Sequence, residues 1–159
     1  MLLFLLACKQ PTPTPPGSCP EADEPYAELS QGDAWVPTDG TPVRFGIPPQ
    51  GGAPYAPFEI RLVGMPSSDA YTVDLSAMDD GVEIGTESYE QRFVCANVGE
   101  NQGTRYTPEL HMRFYGYEPP EIDGHEVDVE ITITSEEGFA VSAGWTGALD
   151  WVLGPLPEE

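Results

Sequence analysis

The sequence predicts an all-β protein, a two-layer sandwich of short antiparallel strands, and three observations point there. Proline and glycine number 18 and 17 in 159 residues, which cuts short any long helix. Val, Ile, Thr, Tyr and Phe recur in brief runs where apolar and polar residues alternate, the period of a strand with one face in a core. These runs return at a spacing of roughly ten residues between clusters of Gly, Pro, Asp and Ser, and helical periodicity is nowhere sustained. The length suits one domain able to bury a core.

In chain order, LSQGDAWVP carries the first strand, with Asp33 and Asp39 beside it. Val43, Phe45 and Ile47 then alternate with Arg44 and Gly46, and the loop PPQGGAP leads into FEIRLVG, where Phe58, Ile60 and Leu62 share a face. YTVDLSAM sets Tyr71, Val73 and Leu75 against Thr72, Asp74 and Ser76, and the turn residues of SAMDDG close it. QRFVCANV (residues 91–98) puts Phe93 and Cys95 on one face and Val94 on the other. ELHMRFYGY opposes Leu110, Met112 and Phe114 to His111, Arg113 and Tyr115. In VDVEITIT, Val127, Val129, Ile131 and Ile133 form an unbroken apolar face. SEEG, with Gly138 free to take positive φ, turns that strand back into FAVSAGW as a hairpin.

About seven to nine such strands define an immunoglobulin-like antiparallel β-sandwich, with a small barrel as the alternative. The succession LSQGDAWVP, PPQGGAPYAPFEIRLVG and IDGHEVDVEITITSEEGFAVSAGW resembles uncharacterised exported bacterial proteins carrying such a domain. That resemblance implies a fold and no activity, because sandwiches host many functions.

The chain opens MLLFLLACKQPTPTPPGSC. A helix of six apolar residues rises about 9 Å, against roughly 30 Å of hydrocarbon, so it cannot anchor by spanning. Leu5, Leu6, Ala7 and Cys8 stand in the order apolar, apolar, small, cysteine, which resembles the lipobox of bacterial lipoproteins. The resemblance implies a diacylglyceryl thioether on Cys8, cleavage just before it, and an acylated new amino terminus. The basic region and full apolar segment of a secretory signal, about 7 to 15 residues, are curtailed. Either the coding start lies upstream and Met1 is internal, which is the expectation, or the chain is not exported. Lys9 stands where an Asp would favour inner-membrane retention, which implies outer-membrane or cell-surface delivery.

Prolines 11, 13, 15, 16, 20 and 25 favour extended polyproline II with no core-forming residues between. About 15 such residues would hold a domain about 45 Å from the lipid. The expected organisation is a signal remnant at 1–7, a lipidated, disordered Pro-rich tether at 8–28, the β-sandwich at 29–154 and a tail at 155–159. With Cys8 lipidated, Cys19 and Cys95 remain as a pair that an oxidising compartment would join, and two unrelated free thiols are the alternative. Three cysteines without a CxxC argue against a structural zinc site.

The formal charge is −21, from 27 acidic residues against six basic ones, and Arg44, Arg61, Arg92, Arg105 and Arg113 form no patch. Nucleic acid and anionic lipid surfaces are therefore repelled. His111 falls on the polar side of its strand and reads as a surface histidine. His125, in EIDGHEVD, has Asp123, Glu126 and Asp128 nearby, but neighbouring strand residues point to opposite faces, a weak arrangement for zinc. No GxSxG elbow accompanies either imidazole, and PPQGGAP lacks the lysine of a phosphate loop. Asp79, Asp80 and Glu83, or Asp33 and Asp39, offer oxygens to calcium, although Asp-Gly is ordinary turn chemistry. Trp35, Trp145, Trp151, Tyr115 and Tyr117 form either a platform for sugars or peptides or part of the core, and the core is the expectation.

The expectation is a lipid-anchored envelope or cell-surface lipoprotein whose β domain binds a protein or glycan partner without catalysis or cofactor. A secreted binding or adhesion module without lipid anchor, with or without calcium, is the alternative, and an enzyme of unrecognised type the third reading.

Overall fold

The computed structural model describes residues 19–32, 35, 37–96, 99 and 102–152. The protein is all-β: β1 Tyr26–Ser30, β2 Val43–Phe45, β3 Tyr55–Val63, β4 Tyr71–Asp79, β5 Val82–Gln91, β6 Val94–Cys95, β7 Arg105–Arg113, β8 Glu126–Ser135 and β9 Ala140–Trp151. Among the described residues one short helix, α1 (Pro119–Ile122), interrupts the strands. Proline at its start fixes φ where no N–H is needed, and the Glu118 N–H donates to Glu121 Oε2 at 2.7 Å.

The sheet runs β1-β3-β7-β5-β4-β8-β9-β2, with β6 paired beside β7. All pairings between named strands are antiparallel except β2 with β9, where Val43 faces Leu149 and Phe45 faces Trp151 in parallel register. This departs from a purely antiparallel expectation. The chain after β2 leaves through a Pro-Gly loop into β3, so β2 docks on β9 by a long crossover and not by a hairpin.

The sheet divides into two blocks, β1-β3-β7-β6 and β5-β4-β8-β9-β2. One residue pair, Thr86 with Arg113, joins β5 to β7. On the other side Gly46 and Tyr55 exchange two backbone hydrogen bonds of 2.9 Å, linking the end of β2 to β3. The Gln31 side chain fills the space beside this bridge. Its Nε2 donates to the carbonyls of Arg44 and Pro57, both at 3.0 Å, and its Oε1 accepts from the Arg44 N–H at 2.9 Å.

The blocks share one core. Phe58 of β3 meets Trp145 of β9 edge-on at 5.9 Å between ring centroids, and Phe45 meets Phe114 at 5.7 Å. Val73, Leu75, Ile131 and Ile133 are buried from the other strands, as their alternation requires. Asp80 and Gly81, both at positive φ, make a two-residue hairpin turn between Asp79 and Val82. The SEEG turn joins β8 to β9, with Gly138 at φ 87° and its N–H donating to Ser135 O.

Two expectations shift. The first strand precedes Trp35, which lies in a bend after β1. Of residues 91–98, only Gln91, closing β5, and Val94–Cys95 are strand among the described residues. Phe93 leaves the ladder to pack edge-on against Tyr71 at 5.3 Å. Cys19 and Cys95 are joined by a disulfide, with Cα atoms 5.7 Å apart. Just after Cys19, Glu21 bridges Gly64, and β1 begins at Tyr26, inside the stretch expected as tether.

Candidate functional site

Cys8, like Asp33, lies outside the described residues, whereas Cys19 and Cys95 come together as the disulfide above. The acidic and histidine residues singled out in the sequence fall into two places. His125 precedes β8, and its Nδ1 lies 2.6 Å from Asp79 Oδ2. Around it the carboxylates hold backbone and hydroxyls. Asp123 accepts from the Trp151 N–H at 2.9 Å, Asp128 from Thr146 Oγ1 at 2.6 Å, and Asp39 from the Thr146 N–H at 3.0 Å. Asp80 carries the positive φ of the β4–β5 turn. Among the described residues, no group of three His, Cys, Asp or Glu is placed to hold a metal ion. EIDGHEVD thus serves to lock the start of β8 to β9.

The second place is the outer face of β3 and β7. Trp145 is buried and donates through Nε1 to Thr41 O at 2.9 Å, while Trp151 and Tyr117 pack against the core. Trp35 and Tyr115 stay at the surface, and three residues that sequence reasoning did not single out as a platform, Tyr55, Tyr106 and Arg61, join them.

The register explains the assembly. Arg61 faces Tyr106 and Tyr55 faces Arg113 across β3 and β7, all on the side away from the core. Arg61 is ion-paired to Glu28 of β1, and the two side chains are only 17% and 13% exposed. The Arg61 guanidinium stacks on the Trp35 ring at 4.4 Å, and Trp35 meets Tyr106 edge-on at 6.4 Å. The Tyr106 hydroxyl donates to Glu59 Oε1 at 3.2 Å. At the other end of the strip, the Tyr55 and His111 rings lie 4.3 Å apart, and His111 Nε2 is 2.6 Å from Glu109 Oε1. Beside them the Tyr89 hydroxyl donates to the His111 carbonyl at 2.6 Å, and Arg113 reaches Glu87 Oε2 at 2.6 Å.

Burial pushes the Tyr55 phenol up, and Glu109 adds to it. Burial, then the charge of Glu59 and its hydrogen bond, does the same to Tyr106. These phenols are neutral donors on a face whose other hydrogen-bonding side chains include carboxylates paired with Arg61, Arg113 and His111.

The outer face of β4, β8 and β9 is different in kind. It carries Thr72, Asp74, Thr132 and Ser142, short and polar, linked by contacts such as Ser88 Oγ to Asp74 Oδ1 at 2.7 Å. Trp35, Tyr55 and Tyr106 gather on the outer face of β3 and β7, while the exposed Phe139 lies in the β8–β9 turn. Each imidazole has a carboxylate partner. The strip presents ring faces beside hydrogen-bonding groups.

No protein family and no curated protein matches the chain. Among solved structures it is similar to one described as the structure of the N-terminal domain of PorA. The identity is 11%, with 76% of this chain and 96% of that chain covered, at a TM-score of 0.29.

Proposed function

We propose that this protein is a lipid-anchored envelope or cell-surface lipoprotein that displays a non-catalytic binding domain of immunoglobulin-like sandwich type. The observation that carries this reading is the cysteine arrangement. Of three cysteines, Cys19 and Cys95 are bonded to one another, which leaves Cys8, the cysteine of the Leu-Leu-Ala-Cys order, for modification. A disulfide of this kind suits an oxidising compartment outside the cytoplasm. The prolines between Cys8 and the domain suit a spacer, and two or three acyl chains hold a protein at a bilayer where one is marginal.

The binding role draws support from the β3–β7 strip, since rings and paired charges on one outer face exceed what solubility needs. The acidity argues against a nucleic-acid partner.

Mass spectrometry of protein purified from its native host tests the anchor. Cys8 is expected as the first residue, carrying a diacylglyceryl group and an acylated amine, with palmitate incorporated during growth and processing blocked by globomycin. An unmodified Cys8 thiol preceded by uncleaved Ala7 overturns it.

A further inference from the structure

We propose that the outer face of β3 and β7 is a platform for a neutral oligosaccharide, which stacks on Trp35 at one end and on Tyr55 at the other. This rests on the reading of the domain as a binding module and names its ligand class.

Geometry gives the length. Arg61, the residue beneath Trp35, lies six positions after Tyr55 along β3, a span of about 20 Å for an extended strand. Such a span suits several sugar rings in a row. A pyranose offers a C–H-rich face, slightly positive, which fits the negative face of an aromatic ring, and hydroxyls around its rim, which fit carboxylates and phenols. Trp35 and Tyr55 supply the ring faces, and Glu59, Glu109 and Tyr106 lie in the strip between or beside them.

Charge chooses among ligands. The guanidinium groups of this face are already matched, Arg61 with Glu28 and Arg113 with Glu87, and the His111 ring lies against Glu109. Among the described residues of the strip, no surplus cation is left to hold sulfate, phosphate or uronate, and the chain's −21 repels polyanions. The rings are also set in place in advance. Trp35 is held between Arg61 and Tyr106, and Tyr55 against His111, so a ligand meets groups whose ordering cost is already met. Trp35 touches its Arg61 stacking partner on one face and remains only half-buried.

The test uses the full chain on an array of neutral and anionic oligosaccharides. Binding is then measured by titration calorimetry and tryptophan fluorescence, with cellohexaose, mannohexaose and the fully N-acetylated chitohexaose as neutral probes and a heparin hexasaccharide and hexalysine as charged ones. A neutral glycan is expected to bind and to change tryptophan emission. Trp35→Ala and Tyr55→Ala are each expected to weaken it about tenfold, the scale of one stacking contact. Tyr55→Phe keeps the ring and retains binding, as does Thr132→Ala on the opposite face. Thermal melts of each variant separate lost binding from lost folding, and if Tyr55→Ala melts early, His111→Ala takes its place. An array without a neutral hit, binding unmoved in folded Trp35→Ala and Tyr55→Ala, or binding by hexalysine or heparin alone overturns the proposal. A chain that carries lipid on Cys8 and binds no glycan defeats this inference and leaves the anchor standing; a glycan-binding chain without lipid does the reverse.

Discussion

Gln31 shows how much one side chain can determine. Its amide makes three hydrogen bonds to main-chain groups of two strands that otherwise meet through one bridge. Truncation by Gln31→Ala leaves the Arg44 N–H and two carbonyls short of partners, and is expected to cost about 2–3 kcal/mol, read as a lowered urea midpoint. Gln31→Glu is isosteric, but it sets a carboxylate against the two carbonyls that Nε2 now serves, and should cost at least as much. Stability unchanged in both would mean that water replaces the amide without loss. Nothing in LSQGD announces this role, because a glutamine after a strand reads as a loop residue until the partner strands are placed. Gly85 was hidden for a related reason. A Cβ there would lie 2.8 Å from the Phe114 ring, so the position that alternation would fill with a side chain is filled by the residue that follows β7. The platform was half legible. Trp35 and Tyr115 stood out as aromatics, whereas Tyr55 and His111 become neighbours only through the β3–β7 register.

At the scale of elements, β4, β8 and the β8–β9 hairpin were legible because their alternation is unbroken and a Gly turn closes the hairpin. β5 was not, since VEIGTESYEQ buries only Ile84 and Gly85 and otherwise reads as polar loop. β5 is held mainly by β4, through an almost continuous ladder from Tyr71 with Gln91 to Asp79 with Val82, and that pairing is a property of the hairpin turn Asp80-Gly81. The disulfide acts on a different element. β6 is two residues long, pairs with Tyr106 and Arg105, is continued by the backbone bonds of Ala96 with Thr104 and Gly103, and is tied through Cys95 to Cys19. Closing a separation of 76 residues is worth on the order of 4 kcal/mol in the chain-entropy model. Cys19→Ala/Cys95→Ala, or reduction, is therefore expected to lower stability by about that amount in urea unfolding. Hydrogen exchange should rise first in β6 and the residues around Ala22, with β4 and β8 still protected. Equal loss of protection across all strands would contradict this assignment.

For the whole molecule, charge and phenol burial set the pH range of the fold. Tyr55, Tyr71, Tyr89 and Tyr106 all have their phenols raised above the ordinary 10.0, burial being the largest cause in each. A raised phenol ionises earlier in the unfolded chain than in the folded one. Its contribution is thus complete below pH 10 and is lost as pH climbs through the folded values. The unfolding free energy is expected to fall above pH 10, and tyrosinate absorbance of the folded protein to lag that of the chain in denaturant; coincident curves would refute this. The bonded cysteines also decide how the molecule bears load. A pull on the amino terminus enters at Cys19 and crosses covalently to Cys95, bypassing every residue from 20 to 94. A pull between the two ends of the chain therefore loads β7, β8 and β9, while β1 through β5, including half of the ring-bearing strip, ride slack. Once the bond is reduced, the same tug falls first on the bridge of Glu21 to Gly64 and then on β1, and the domain peels from its edge like an unfastened zip.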